Sequence, residues 1–177
     1  MKQNEIYIVG IGGCAIEASL WAKDAGFKIK GYLVNKKFIP DKKLFNNKPV
    51  YDIGGFKCNN FKAIVAIGDP QIRKKLVKQL SKDTKFATII HPTSIIGSNV
   101  KIQNGSIIAP NTILTTNINI GKHSLIDRNS NIGHDCNIGH YFTASPSVTI
   151  SGNNNIKNCV FFGVGSSTIQ KISITKN

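Results

Sequence analysis

From Ile90 to Ile174 every sixth residue falls into one class: Ile90, Ile96, Ile102, Ile108, Leu114, Ile120, Ile126, Ile132, Ile138, Ala144, Ile150, Ile156, Phe162, Thr168 and Ile174. Thirteen of these fifteen anchors are bulky and apolar. A helix repeats near 3.6 residues and a strand at 2, so a period of six over half a chain predicts a hexapeptide solenoid. Four residues after each anchor stands a mostly small or β-branched residue, such as Ser106, Thr112, Ser124, Ser130, Cys136 and Val148. Large anchors alternating with small partners would fill a narrow triangular bore, and hexapeptide repeats of this kind resemble the left-handed parallel β-helix, with three hexads per coil. The repeat predicts between four and five coils and a prism roughly 22 Å tall at a strand spacing of ~4.8 Å. Phe142 and Asn154 break the small-residue rule, which marks them as sites of a bulge or of changed packing near a functional surface.

The first half carries other periods. Residues 5–9 read as a buried strand, Ala15 to Ala25 as a helix stopped by Gly26, and residues 28–34 as a second strand. A polar loop through Asn46, Asn47 and Pro49 follows, then a strand at 63–67, a basic helix from Gln71 to Leu80, and a strand at 86–90. Strands joined by helices imply a small Rossmann-like parallel α/β sheet. The expected domains are therefore 1–85, α/β, and 86–177, left-handed β-helix.

Composition changes this picture little. The net charge of +14 comes from lysines spread along the chain, and the abundance of Asn, Ile and Lys together reads as compositional bias. A positive surface suits polyanions such as nucleotide sugars and coenzyme A, and no nucleic-acid-binding motif accompanies it. No run of eighteen apolar residues and no leader pattern is present, so the expected location is the cytoplasm, without a membrane span. Cys14, Cys58, Cys136 and Cys159 lack metal-type spacing, and no metal is expected.

Two segments carry chemistry. Gly10-Ile11-Gly12-Gly13, between a strand and a helix, can bring backbone amides to a phosphate. The second strand ends Val34-Asn35-Lys36 with no acidic residue to hold a ribose, so a single diphosphate fits better than a dinucleotide. In the solenoid, the hexad phase of Ile132-Gly133-His134-Asp135-Cys136 leaves His134 and Asp135 facing outward. A histidine beside a carboxylate can act as a base and be stabilised as imidazolium, which acyl transfer to an amine or hydroxyl needs. His91, His123 and His140 are the rival histidines, His140 as a second member of the His134 groove.

The opening Ile-Val-Gly-Ile-Gly-Gly, the Ala-Ile-Gly-Asp-Pro-Gln-Ile-Arg segment, the Ile-His-Pro junction and Gly-His-Asp-Cys together resemble the bacterial sugar acetyltransferases, which act on nucleotide-linked amino sugars or on sialic acid. The resemblance implies a homotrimer, acetyl-CoA along the solenoid between subunits, and a nucleotide-linked amino sugar held by the N-terminal domain. His134 would be the catalytic base and Asp135 its partner. Gly10, Gly12, Gly13, Asn35, Lys36 and Arg73 would bind the sugar nucleotide, and Thr143, Gly152, Gly163 and Gly165 would line the coenzyme groove. The implied reaction is N-acetylation of a nucleotide-linked 4-amino-4,6-dideoxy sugar in surface glycan biosynthesis. O-acetylation of sialic acid or a related sugar and a non-catalytic sugar-nucleotide-binding scaffold are the alternatives. The chain departs from the family pattern at Cys14, often His, at Val34-Asn35, often an acidic pair, and at Thr143, often His. It also ends at Asn177, short of the usual last coil, which implies a truncated solenoid.

Overall fold

A computed structural model of the chain describes residues 4–54, 56 and 61–175; Cys58 lies outside them. The first strand, β1 (Glu5–Val9), is buried throughout. Its two-residue alternation sends Ile6 and Ile8 to one face of the sheet and Tyr7 and Val9 to the other. Parallel strands β2 (Lys28–Val34) and β5 (Lys62–Val65) flank it. Beyond them lie β3 (Leu44–Phe45) and β4 (Lys48–Asp52) on one side and β6 (Lys85–Phe86) on the other, in the order β3-β4-β2-β1-β5-β6. Helix α1 (Gly13–Asp24) covers one face with Ala15, Ala18, Trp21 and Ala22, and α2 (Pro70–Gln79) covers the other with Leu76.

The segment expected as a loop around Pro49 is instead a hairpin, with β4 pairing in parallel with β2. Lys43, Asn46 and Asn47 at positive φ make the turns around its short antiparallel arm. Pro49 is tolerated because it pairs only in that two-residue arm.

Fifteen two-residue strands, β7 (Ile89–Ile90) through β21 (Ser173–Ile174), follow at intervals of six and stack as three five-stranded parallel sheets. They complete five coils of a left-handed β-helix, each residue pairing with that eighteen positions on. The strands of the first face begin at Ile89, Ile107, Leu125, Thr143 and Phe161, those of the second at Ile95, Ile113, Asn131, Thr149 and Ser167, and those of the third at Lys101, Asn119, Asn137, Asn155 and Ser173. Between faces the chain turns through a left-handed residue at every sixth position from Asn99 to Lys171, with φ between 55° and 81°. Only Gly, and to a lesser degree Asn and Asp, adopt this conformation cheaply, and eight of these thirteen corners are Asn, Asp or Gly.

Anchors from Ile108 to Ile156 are all but fully buried, whereas Ile90 and Ile96 in the first coil are 39% and 36% exposed because no coil lies beneath them. Neither exception to the small-residue rule is a bulge. Phe142 is buried opposite the smallest anchor, Ala144, and meets Phe162 edge to face, so large and small have exchanged places. Asn154 is buried with its amide satisfied, donating to Ser151, Thr168 and Ile169 and accepting from the Ile172 amide.

The α/β sheet seats on the first face. The outward residues Ile89, Ile107 and Leu125 are buried in one cluster with Ile6, Ile8, Trp21 and Tyr32, and each contributes about 1.5–3 kcal/mol through burial. His91 Nε2 lies 3.2 Å from Asp24, and Arg128 Nη1 donates to Glu17 at 2.9 Å, so α1 is held to the corner between the first and second faces.

Candidate functional site

The corner between the second and third faces brings His134 and Asp135 together. Asp135 sits in the left-handed conformation, φ 58°, which turns its carboxylate back toward the preceding ring. His134 Nδ1 and Asp135 Oδ2 are 2.7 Å apart. Hydrogen bonds from His134 and from Asn117 hold the Asp135 carboxyl below the usual carboxylate range. An ionised carboxylate only accepts, so His134 Nδ1 carries the proton and donates, which leaves the Nε2 lone pair free. The ring lies over Gly152 of the next coil: a Cβ built there would stand 2.6 Å from Nε2 and 2.8 Å from Cε1. Gly152 is thus the seat of the imidazole, and both His134 and Asp135 are nearly half exposed on the outer surface.

The glycine loop lies elsewhere. Gly10, φ 119°, donates to Leu33 O, and a Cβ there would be 3.0 Å from Ala66 O, so the chain crosses the carboxyl ends of β1, β2 and β5 only as glycine. Gly12 caps α1 without a side-chain hydrogen bond, and around Gly12 and Gly13 an added Cβ meets nothing within 4 Å. Open helix-start amides at the carboxyl edge of a parallel sheet form a surface suited to an anion. Asn35 and the exposed Lys36 follow β2 at the same edge.

Arg73 is not available to a ligand. It is 1% exposed, and its five N–H groups meet the carbonyls of Ile67, Gly68, His123 and Phe142 and the hydroxyl of Thr143. Burial lowers its pKa to about 10, so it stays charged at neutral pH. Thr143, 2% exposed, donates to Gly68 O at 2.8 Å and accepts from Arg73, so its hydroxyl proton is committed and its oxygen is buried away from a coenzyme. Arg73 and Thr143 form the clamp between α2 and the solenoid, which corrects the ligand roles expected of both. The bound reached from sequence stops short here because a buried arginine and a ligand arginine look alike in a motif.

Gly163 and Gly165 lie on the corner between the first and second faces, whereas Gly152 lies at the His134 corner. One chain does not bring these glycines into a single groove. Nor does it join the glycine loop to His134, since the second face separates them.

The rival histidines have structural roles. His91 is held by Thr93 and Asp24 at the junction. His123 is 5% exposed, stacked on Tyr141 and edge-on to Phe86, and burial lowers its pKa to about 4. His140 Nδ1 accepts from the Lys122 amide at the corner between the third and first faces, so it is not on the His134 corner. Burial pushes the Cys14 thiol up to about 12 and raises Cys136, so neither is a thiolate nucleophile at neutral pH. Among the described residues no group of three His, Cys, Asp or Glu could hold a metal ion. Asn117, which the sequence reading does not single out, is found by its eighteen-residue spacing from Asp135.

Comparison with known proteins agrees with this fold. Residues 5–80 match the PglD N-terminal domain. No curated protein matches the chain in sequence. The whole fold is shared with solved structures. WeeI from Acinetobacter baumannii AYE superposes with a TM-score of 0.74 at 24% identity, over 97% of this chain and 91% of that one. A variant of perosamine N-acetyltransferase from Caulobacter crescentus, in complex with CoA and GDP-perosamine, gives 0.71 at 15% identity over 96% and 90%. PerB from Caulobacter crescentus, also with CoA and GDP-perosamine, gives 0.52 at 16% over 97% and 91%. The chain therefore shares the fold of these structures, and its segment matching the PglD N-terminal domain precedes a hexapeptide β-helix. No described helix is long and apolar enough to cross a membrane.

Proposed function

We propose that the chain is an acetyl-CoA-dependent N-acetyltransferase acting on a nucleotide-linked 4-amino-4,6-dideoxy sugar. One observation carries the reading: an outward imidazole with Nδ1 bound to an ionised carboxylate and a free Nε2, seated on a glycine. As the amine nitrogen attacks the thioester carbonyl, Nε2 of His134 takes its proton and Asp135 stabilises the imidazolium. The C–S bond breaks, and the proton passes on to the departing thiolate. Similarity to structures that hold CoA and GDP-perosamine supports both substrates.

The unit at 1–85 would bind the nucleotide through Gly10, Gly12, Gly13, Asn35 and Lys36. Because the second face separates that edge from His134 within one chain, a homotrimer would bring one subunit's glycine loop to its neighbour's His134. The exposed Ile95 and Ile113 on that face would be covered in the assembly. The free thiols of Cys14, Cys136 and Cys159 suit the reducing cytoplasm, where acetyl-CoA is made.

The test is thiol release from acetyl-CoA in the presence of GDP-perosamine and other nucleotide-linked amino sugars, with mass spectrometry of the sugar. Acetylation on nitrogen by the wild type, and its loss by about 10² or more in His134→Ala, is expected. Acetylation on oxygen would move the assignment to a hydroxyl acceptor. Wild-type turnover in His134→Ala would remove the histidine from the mechanism.

A further inference from the structure

Up the corner that carries His134, side chains from successive coils are joined in one direction. Asn99 Nδ2 donates to Asn117 Oδ1 at 3.1 Å, and Asn117 Nδ2 donates to Asp135 Oδ1 at 3.1 Å. Asp135 Oδ2 then takes the proton of His134 Nδ1 at 2.7 Å. The backbone keeps the same register, because Asn117 N donates to Ser98 O and Asp135 N donates to Thr116 O, both at 3.1 Å. All three ladder residues are in the left-handed conformation, with φ of 56°, 55° and 58°.

We propose that Asn117, supported by Asn99, is a positioning residue that fixes the Asp135 carboxylate on His134 and so sets the tautomer of the ring; the inference rests on the reading of His134 as the base. The chemistry fixes the polarity of the ladder. A carboxylate has no proton to give, so the Asn117 amide turns its NH₂ toward Asp135 and its oxygen toward Asn99, which must answer with its own NH₂. A free carboxylate on an exposed corner turns about its side-chain bonds. One oxygen held by Asn117 leaves the other to accept from the imidazole, 2.7 Å from Nδ1. The left-handed corners select residues that reach this backbone cheaply, and among Gly, Asn and Asp only Asn brings a donor. Asn ladders between stacked, in-register coils are a known source of order.

The substitution Asn117→Gly removes the side chain and keeps the left-handed turn, so the coil is not strained. Asn117→Asp keeps the size and removes the donor. Asn99→Gly weakens the ladder one step away, and Asn111→Gly makes the same change on the corner between the first and second faces as a control. The readout is long-range ¹H–¹⁵N correlation of ¹⁵N-histidine-labelled protein at mildly alkaline pH, with His134 assigned from His134→Gln, alongside kcat/KM for the amino sugar.

In the wild type and in Asn111→Gly the proton of His134 resides on Nδ1. In Asn117→Gly and Asn117→Asp the ring relaxes toward the Nε2–H form that free imidazole side chains favour. Then kcat/KM falls about 10-fold or more while KM for acetyl-CoA is unchanged, and Asn99→Gly lies between. An Nδ1–H ring that persists in Asn117→Gly would overturn the proposal. A tautomer shift without loss of turnover would uphold the ladder and count against His134 as the base.

Discussion

Gly152→Ala is the substitution that separates the site from the scaffold. The new Cβ would stand 2.6 Å from His134 Nε2, 2.8 Å from Cε1 and 3.0 Å from Cδ2, so carbon contact at an ordinary distance requires the ring to move by about 1 Å. Only the end of an exposed side chain is in the way. The expected cost in stability is therefore at most about 1 kcal/mol, a fall in Tm of roughly 2–4 °C for a chain of this size. The cost in rate is far larger, because a base displaced by about 1 Å loses about 10² in kcat/KM. Gly121→Ala is the counterpart. Its Cβ would stand 2.5 Å from Gly139 C and 2.6 Å from His140 N, both main-chain atoms of the next coil that cannot turn aside. There about 3 kcal/mol is expected, or roughly 6–12 °C in Tm, with little change in kcat/KM of the folded fraction. Thermal melts and initial rates of the two variants, measured side by side, make the assay. Wild-type kcat/KM in Gly152→Ala, with the melting temperature lowered as in Gly121→Ala, would refute the reasoning that the glycine is the seat of the imidazole.

Other consequences follow from the clamp and the buried histidine. Arg73→Lys leaves several of five buried acceptors unmatched, since one ammonium has three donors and no planar fork, and is expected to lower stability by about 3 kcal/mol in urea titrations. For His123 the folded-state pKa of about 4 lies below the ordinary 6.5, so the unfolded chain takes up the proton first. Stability should then fall as pH drops from 6.5 toward about 4 and level off below, by up to about 3 kcal/mol. His123→Asn, which keeps the left-handed corner and cannot titrate there, should flatten that part of the pH–stability curve. Asp135→Asn should lower kcat/KM by about 10² with the melting curve unchanged, because the side chain is exposed and its hydrogen bond to the ring is what is lost.

The solenoid was legible because one constraint, a bore three hexads around, repeats at a fixed interval. The anchors at Ile108 to Ile156 and the small residues at Ser106, Thr112 and Ser130 are where the period puts them. A second signal of the same period is visible only when sought. The residue three after an anchor must turn left-handed, and Asn99, Asn111, Asn117, Asn129 and Asn153 stand there. Asparagine read as compositional bias is therefore partly backbone chemistry. A third signal is the outward row at eighteen-residue spacing, where Ile89, Ile107 and Leu125 mark the face that receives the α/β sheet.

At the site, the bond between His134 and Asp135 follows from adjacency and hexad phase, whereas Gly152, expected only to line the coenzyme groove, stands eighteen residues after His134 as the seat of its ring. Arg73 and Thr143 were not legible. They lie seventy residues apart, and what decides their role is mutual burial, which no local pattern encodes. The β4 strand escaped for the opposite reason, since Pro49 and the flanking Asn residues describe its turn accurately while Val50 to Asp52 pair only through β2.

The most direct measurement of the central claim is the mass of the sugar after incubation of the purified wild-type protein with acetyl-CoA and a nucleotide-linked 4-amino-4,6-dideoxy sugar, GDP-perosamine first, with His134→Ala in parallel. The account predicts a sugar heavier by one acetyl group on its nitrogen, stoichiometric release of CoA thiol, and loss of both in the variant. A folded wild-type protein that binds the sugar nucleotide, leaves it unmodified across the nucleotide-linked amino sugars and does not bind acetyl-CoA would contradict it and make the chain a binding scaffold.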